Sequence, residues 1–189
     1  MTTRDFDLII YGASSFVGQI MTRYLAEHLG FSGTVKWAIA GRSSSKLNEL
    51  RASLGEVAAN LPIIIADADD ANALAKLCQS TRVIATTVGP YALYGEQMVK
   101  ACAENGTDYC DLCGEAYWIK RMIVKYADAA EQTGARIVSC CGFDSIPSDL
   151  GVHFLQQQGQ QRFGKYFTAI KLAVNKMKGG ASGGTLATL

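Results

Sequence analysis

The heptapeptide Gly12-Ala13-Ser14-Ser15-Phe16-Val17-Gly18 follows an apolar run, Phe6-Asp7-Leu8-Ile9-Ile10-Tyr11. A buried strand that feeds a small-residue turn into a helix is an arrangement that holds a pyrophosphate. Main-chain N–H groups face the dianion, and the helix dipole turns its positive end toward it. Gly12 permits the sharp turn and Gly18 permits close helix–strand packing. A strict G-x-G-x-x-G is absent, and Ser15 occupies the middle position of the related G-x-x-G-x-x-G spacing. From Phe16 onward, Val17, Ile20, Met21, Tyr24, Leu25 and His28 fall on one face at helical spacing, so the turn opens a helix.

A second signal sits where the next strand, Thr34 to Ala40, stops at Gly41-Arg42-Ser43-Ser44-Ser45-Lys46. In a dinucleotide fold this strand end lies beside the adenosine ribose, where a carboxylate binds the ribose hydroxyls and an Arg accommodates a 2′-phosphate. Gly41, Arg42, Ser43 and Lys46 supply a guanidinium, small donors and an ammonium with no carboxylate among them, which favours NADPH over NADH. The plainer reading is a solvated basic turn with Ser45 capping the next helix. Asp67, after a third strand, is placed to meet the adenine edge or to cap a helix. Val88, Gly89, Pro90 and Tyr91, after a fourth, are placed near the nicotinamide ribose or form a simple turn. For a proton donor beside a transferred hydride, the loops offer Tyr91, Tyr94, Glu115, Asp144 and Ser145, with Asp144 and Tyr91 preferred. Asp144 and Ser145 also suit side-chain-to-backbone bonds that tie down a domain junction.

The elements that must position these groups alternate along the chain. Further strands are expected at 61–66, 82–87, 107–112 and 135–140, with helices at about 71–79, 95–105 and 116–133. Strands apolar on both faces between helices predict an α/β fold, a Rossmann-like doubly wound parallel sheet. Residues 1–150 are expected to form this NAD(P)-binding domain. Residues 151–189 read as a linker helix and the beginning of a truncated second α+β domain. Within them, 156–161 looks linker-like, 166–177 alternates like a long strand, and Gly179 to Thr185 starts a further loop and helix.

With 189 residues, 49% of them apolar, and a net charge of +1, the chain is globular and has no electrostatic reason to bind nucleic acid. It has no integral membrane segment and reads as cytoplasmic. Six cysteines lie mostly in apolar patterns, as reduced core thiols do. Cys110-Asp111-Leu112-Cys113 has C-x-x-C spacing, but no second pair matches it, so no metal site is expected.

These motifs resemble the saccharopine dehydrogenase-like oxidoreductases, including the trans-acting enoyl reductases. The matching stretches are Tyr11 to Gly18, Ala40-Gly41-Arg42 with Lys46-Leu47, Thr87 to Tyr91 with Tyr94-Gly95, and Ala101-Cys102. They continue through Gly106 to Tyr109, Asp111 to Glu115, Cys141 to Asp149 and Gly179 to Thr185. Ser15 departs from the glycine common in relatives. The resemblance implies NADP as cofactor and a reductase of a C=N or C=C bond, with an amino-acid imine or an acyl chain as the small-molecule substrate. It also implies a substrate domain following the cofactor domain; apolar surface exposed where that domain would pack admits a homodimer. A non-catalytic NADP(H) sensor or scaffold is the alternative. A short-chain dehydrogenase is disfavoured, because no Tyr-x-x-x-Lys pair is present and Tyr117 with Arg121 is a poor substitute.

Overall fold

The structure, a computed structural model, describes residues 4–176 and 178. Its strands are β1 (Phe6–Tyr11), β2 (Trp37–Gly41), β3 (Ile63–Ile65), β4 (Thr81–Thr86), β5 (Asp108–Cys110) and β6 (Ile137–Val138). They form one sheet in the order β3-β2-β1-β4-β5-β6, with every neighbouring pair parallel. The helices are α1 (Phe16–Leu29), α2 (Ser44–Ser53), α3 (Ala71–Ser80), α4 (Tyr91–Tyr94), α5 (Glu96–Asn105), α6 (Ala116–Thr133) and α7 (Ile146–Phe163). This is the Rossmann-like fold. Strand order reverses between β1 and β4, so a crevice opens at the carboxyl ends of these central strands.

Period-two alternation divides the core. Ile9 and Tyr11 of β1, with Ala38 and Ala40 of β2, face α3, α5 and α6, where Leu74, Leu77, Met98, Val99, Trp118 and Met122 are buried. Ile10, with Trp37 and Ile39, faces α1 and α2 through Met21, Leu25, Leu47 and Leu50. Both sides of the sheet are thus covered, as its uninterrupted apolar strands require. No described helix is long and apolar enough to cross a membrane.

Three expectations, for β2, residues 156–161 and residues 166–176, need correction. In helix α1, Ile20 and Tyr24 are more than half exposed, and Tyr24 stacks on His28 at 3.9 Å. Gly18 and Thr22 are its buried residues, flanked by Met21 and Leu25, because the helix lies closest to the sheet at its glycine and rotates the stripe accordingly. Strand β2 begins at Trp37, three residues later than expected. Residues 156–161 are not a linker but part of α7, since glutamine is a good helix former; the helix ends at Gly164, left-handed at φ 66°. Residues 166–176 form no strand. Phe167 is held instead by Gln156, whose amide donates to the Phe167 carbonyl at 3.0 Å and whose carbonyl accepts from its N–H at 2.8 Å. The Gly179 to Thr185 segment lies outside the described residues.

The amino-terminal edge of the sheet is held by one side chain. The Arg4 guanidinium donates to the carbonyls of Cys78, Thr81 (2.7 Å), Asn105 (2.7 Å) and Gly106 (3.2 Å) and to the Thr107 hydroxyl (2.6 Å). It joins the end of α3, the start of β4 and the turn before β5. Replacing it strands several acceptors in a partly buried place, so Arg4→Met is expected to cost about 3 kcal/mol. Urea unfolding of the two proteins checks this; an unshifted midpoint would mean that water replaces the guanidinium without loss.

Candidate functional site

The turn after β1 is closed to larger residues. Gly12 has φ +83°, and a Cβ on it would lie 2.7 Å from Val88 Cγ2 and 3.0 Å from Thr87 Oγ1. A Cβ on Gly18 would lie 2.3 Å from the Gly12 carbonyl oxygen and 2.8 Å from Ala13 Cα. Ser15, by contrast, sits in extended backbone at φ −70°, so its position does not demand glycine. Its hydroxyl takes part in a relay whose protons all find acceptors. Gly18 N–H donates to Ser15 Oγ (3.0 Å), Ser15 Oγ lies 2.8 Å from Thr87 Oγ1, and Thr87 Oγ1 donates to the Gly12 carbonyl (2.9 Å). Because the Thr87 proton goes to Gly12, Ser15 is the donor in the middle bond.

Ser15 therefore caps α1 through Gly18 and leaves the N–H groups of Phe16 and Val17 without a protein acceptor among the described residues. Those two donors at a helix N-terminus suit a phosphate oxygen. The N–H groups of Gly12 and Ala13 are not available, since both donate to the Ala40 carbonyl at 2.9 and 3.2 Å.

The second wall forms where β2 ends. Ser43, not Ser45, is the N-cap of α2, its hydroxyl accepting from Lys46 N–H at 3.5 Å. Arg42 and Lys46 are exposed, and among the described residues neither joins an ion pair. Helix α3 is capped by Asp70, which accepts from Asn72 and Ala73 N–H at 3.0 Å each. Asp67 is thereby excused from capping, and among the described residues its carboxylate accepts only from Asp69 N–H at 3.1 Å.

Between these walls lies a cleft of about 300 Å³ at the carboxyl end of the sheet. Gly12, Ser14, Ser15, Gly41, Arg42, Ser43, Lys46, Asp67, Val88 and Gly89 line it, all anticipated from sequence. Tyr11, Ala68, Asp69, Thr87 and Tyr94 complete the lining. Thr87 was legible in principle, as a hydroxyl directly after a central strand that must face the turn after its neighbour. Ala13, Phe16, Val17 and Pro90 adjoin the cleft along the chain without lining it; Ala13 is wholly buried and Phe16 largely exposed.

The two expected proton donors are not on the cleft wall. Tyr91 is buried, its ring beside Trp118 at 5.7 Å; its hydroxyl donates to the Thr86 carbonyl (3.3 Å) and accepts from Leu112 N–H (3.4 Å). Burial raises its phenol further above the usual range, so it holds its proton. Asp144 is exposed on the turn before α7. Of the loop phenols expected from sequence, Tyr94 lines the cleft, together with Tyr11 from the end of β1.

A family model for the saccharopine dehydrogenase NADP-binding domain matches residues 8–138. A trans-acting enoyl reductase of Mycobacterium tuberculosis is 47% identical over 156 residues, covering 82% of this chain and 36% of its own length. One from Mycobacterium ulcerans is 40% identical over 186 residues, covering 98% of this chain and 44% of its own. The chain thus spans less than half the length of these relatives. Among solved structures, saccharopine dehydrogenase (L-Glu forming) of Saccharomyces cerevisiae superposes with a TM-score of 0.54 at 16% identity, over 79% of this chain and 32% of that one, a likeness of fold.

Beside the cleft, the C-x-x-C segment surrounds a buried carboxylate. Asp111 accepts from Tyr109 O–H (2.7 Å), Ser139 O–H (3.2 Å), Cys113 N–H (3.0 Å) and Cys140 N–H (3.0 Å), clamping the ends of β5 and β6 together. Among the described residues no group of three or more His, Cys, Asp or Glu side chains could hold a metal. Burial pushes the Cys110 thiol up to about 11 and the Cys113 thiol up to about 12. A raised thiol pKa means less thiolate at a given pH, so both should react slowly at pH 8 and faster as the pH climbs toward those values. Exposed Cys141 is expected to react first with a disulfide reagent at pH 8. Mass-spectrometric mapping of the modified thiol checks this; first modification at Cys110 or Cys113 would contradict the clamp.

Proposed function

The chain belongs to the saccharopine dehydrogenase NADP-binding family, and from that premise we propose that it binds NADPH in the cleft as the cofactor domain of an NADP-dependent reductase. One observation carries the reading: the Phe16 and Val17 N–H groups, without an acceptor among the described residues, adjoin the same cleft that Arg42 and Lys46 line, with neither cation in an ion pair among those residues. The first would hold the pyrophosphate and the second the 2′-phosphate. Gly12 fits this role because any side chain there would meet Val88 and fill the cradle.

When bound, the reduced nicotinamide supplies the hydride. The chain's own groups bind and orient it. Phe16 and Val17 N–H with the α1 dipole fix the pyrophosphate, Arg42 fixes the adenosine end, and Asp67 stands at the adenine edge. Val88 and Gly89 border the nicotinamide ribose. Tyr94 takes the place of Tyr91 as the phenol nearest that end, while Tyr91 bolts β4 to β5. Asp144 retains a proposed role only in the substrate half, on the turn leading to α7.

The acceptor bond in this reading is the C=C of an unsaturated acyl chain. Relatives named for enoyl reduction share 40–47% identity with the chain, which supports this choice. Residues 1–150 form the cofactor domain, and residues from 151 onward lead into the substrate domain. Leu150, Val152, Phe154 and Leu155 of α7 are exposed and offer the surface for that domain or for a second copy. Reduced thiols throughout suit a cytoplasmic setting.

Calorimetric titration of the purified chain with NADPH and with NADH tests the reading. Arg42→Ala is expected to weaken NADPH binding about tenfold or more, the worth of a charge-assisted phosphate contact, and to leave NADH binding nearly unchanged. Equal loss for both nucleotides, or no binding of either by the parent chain, would overturn it.

A further inference from the structure

We propose that Glu115 is the positioning residue for the nicotinamide half of the cleft, a carboxylate that sets the loop after β4 rather than a proton donor. This rests on the cofactor reading above. Helix α4 is a single turn whose N-cap is Pro90, a residue with no side-chain acceptor, so its leading N–H groups need a partner from elsewhere. Glu115 provides it from the segment between the neighbouring strand β5 and α6. Its Oε1 accepts from Tyr91 N–H at 2.8 Å and its Oε2 from Ala92 N–H at 2.9 Å. Each carboxylate oxygen thus meets one donor at the positive end of the turn, and Glu115 makes no side-chain cap for its own helix α6.

What this bond holds is the wall of the cleft. Val88 and Gly89 precede α4 and line the cleft, and Tyr94 lines it from the far end of α4. The loop is anchored upstream by Thr87 N–H to the Tyr11 carbonyl (2.9 Å) and Val88 N–H to Thr86 Oγ1 (3.2 Å). Downstream, the charged anchor is Glu115. The loop has little freedom to drift without consequence, since Val88 already lies against Gly12 and Trp118 lies against Gly95, where an added Cβ would stand 2.6 Å from Trp118 Cζ2. Removing the carboxylate frees two backbone donors at the point where the loop turns, and the shift falls on the nicotinamide side. The phosphate turn and the Arg42 corner keep their own bonds, none of which involves Glu115.

That asymmetry gives the test. The adenosine fragment 2′,5′-ADP carries the 2′-phosphate and the adenine but no nicotinamide. Titrating parent chain and Glu115→Ala with NADPH and with 2′,5′-ADP separates the two halves. For Glu115→Ala, NADPH affinity is expected to fall about tenfold while 2′,5′-ADP affinity stays within about twofold, the loss expected for removing a charge-assisted pair of bonds from one half only. Unchanged NADPH affinity overturns the proposal, and so does an equal fall for both ligands, which would make Glu115 a general structural residue. If Glu115→Ala does not fold, Glu115→Gln carries the same comparison: it keeps one acceptor oxygen, and a selective loss of about threefold is expected. A Gln variant that binds both ligands like the parent overturns the proposal. Failure of the parent chain to bind either ligand strikes the cofactor reading instead, a distinct result.

Discussion

The geometry of the site depends on one close approach, that of α1 to the end of β1. Gly18 lies so near the Gly12 carbonyl that a methyl group has no place between them. This contact fixes where α1 begins, and therefore where the Phe16 and Val17 N–H groups point. It also sets the buried stripe of the helix. The serine and threonine hydroxyls then secure the arrangement, running from Gly18 N–H through Ser15 and Thr87 back to the Gly12 carbonyl. One chain of bonds thus joins the turn after β1 to the end of β4, the two strands between which the sheet order reverses.

Electrostatics give the cleft a direction. Arg42 and Lys46 make the β2 corner basic, whereas Asp67 and Asp69 border the same space from the β3 side. In the proposed binding mode a doubly charged 2′-phosphate would be drawn to the first and repelled by the second, which would set the ribose against β2 and leave the carboxylates to the neutral adenine edge. Exposure of both cations weakens their attraction in salt, yet it also leaves them free of competing partners within the described chain. In that binding mode the basic corner would discriminate between nucleotides more than it binds them tightly.

Much of this was legible in the residues. The parallel sheet follows from apolar strands alternating with helices, and the cleft lining from Gly12, Ser14, Ser15, Arg42, Ser43 and Lys46 follows from the rule that loops at strand carboxyl ends carry the site. What was not legible depends on rotations and on distant partners. Hydrophobicity alone does not reveal which side of α1 packs on the sheet, because the glycine contact turns Thr22 inward and leaves Ile20 and Tyr24 exposed. Residues 156–161 were misjudged because polarity was taken for irregularity, although glutamine favours helix. Tyr91 looked like a catalytic phenol because its position along the chain is right; only packing against Trp118 shows that its side chain points into the core. No local pattern reveals that Glu115 reaches back to cap α4.

These contacts divide the molecule by function. The Arg42 corner at the end of β2 closes its bonds locally, from Lys46 N–H to Ser43, whereas the turn after β1 is tied to the end of β4 by Ser15 and Thr87. The other half is assembled from the ends of β4, β5 and β6 through long-range bonds: Glu115 to α4, Tyr91 to Leu112, and Asp111 to Ser139 and Cys140. A local grip survives changes elsewhere, whereas a wall made of distant parts moves when any one of them moves. In the proposed reading, nucleotide choice would reside in the Arg42 corner, and the geometry of the nicotinamide half in how the ends of β5 and β6 hold the loop after β4.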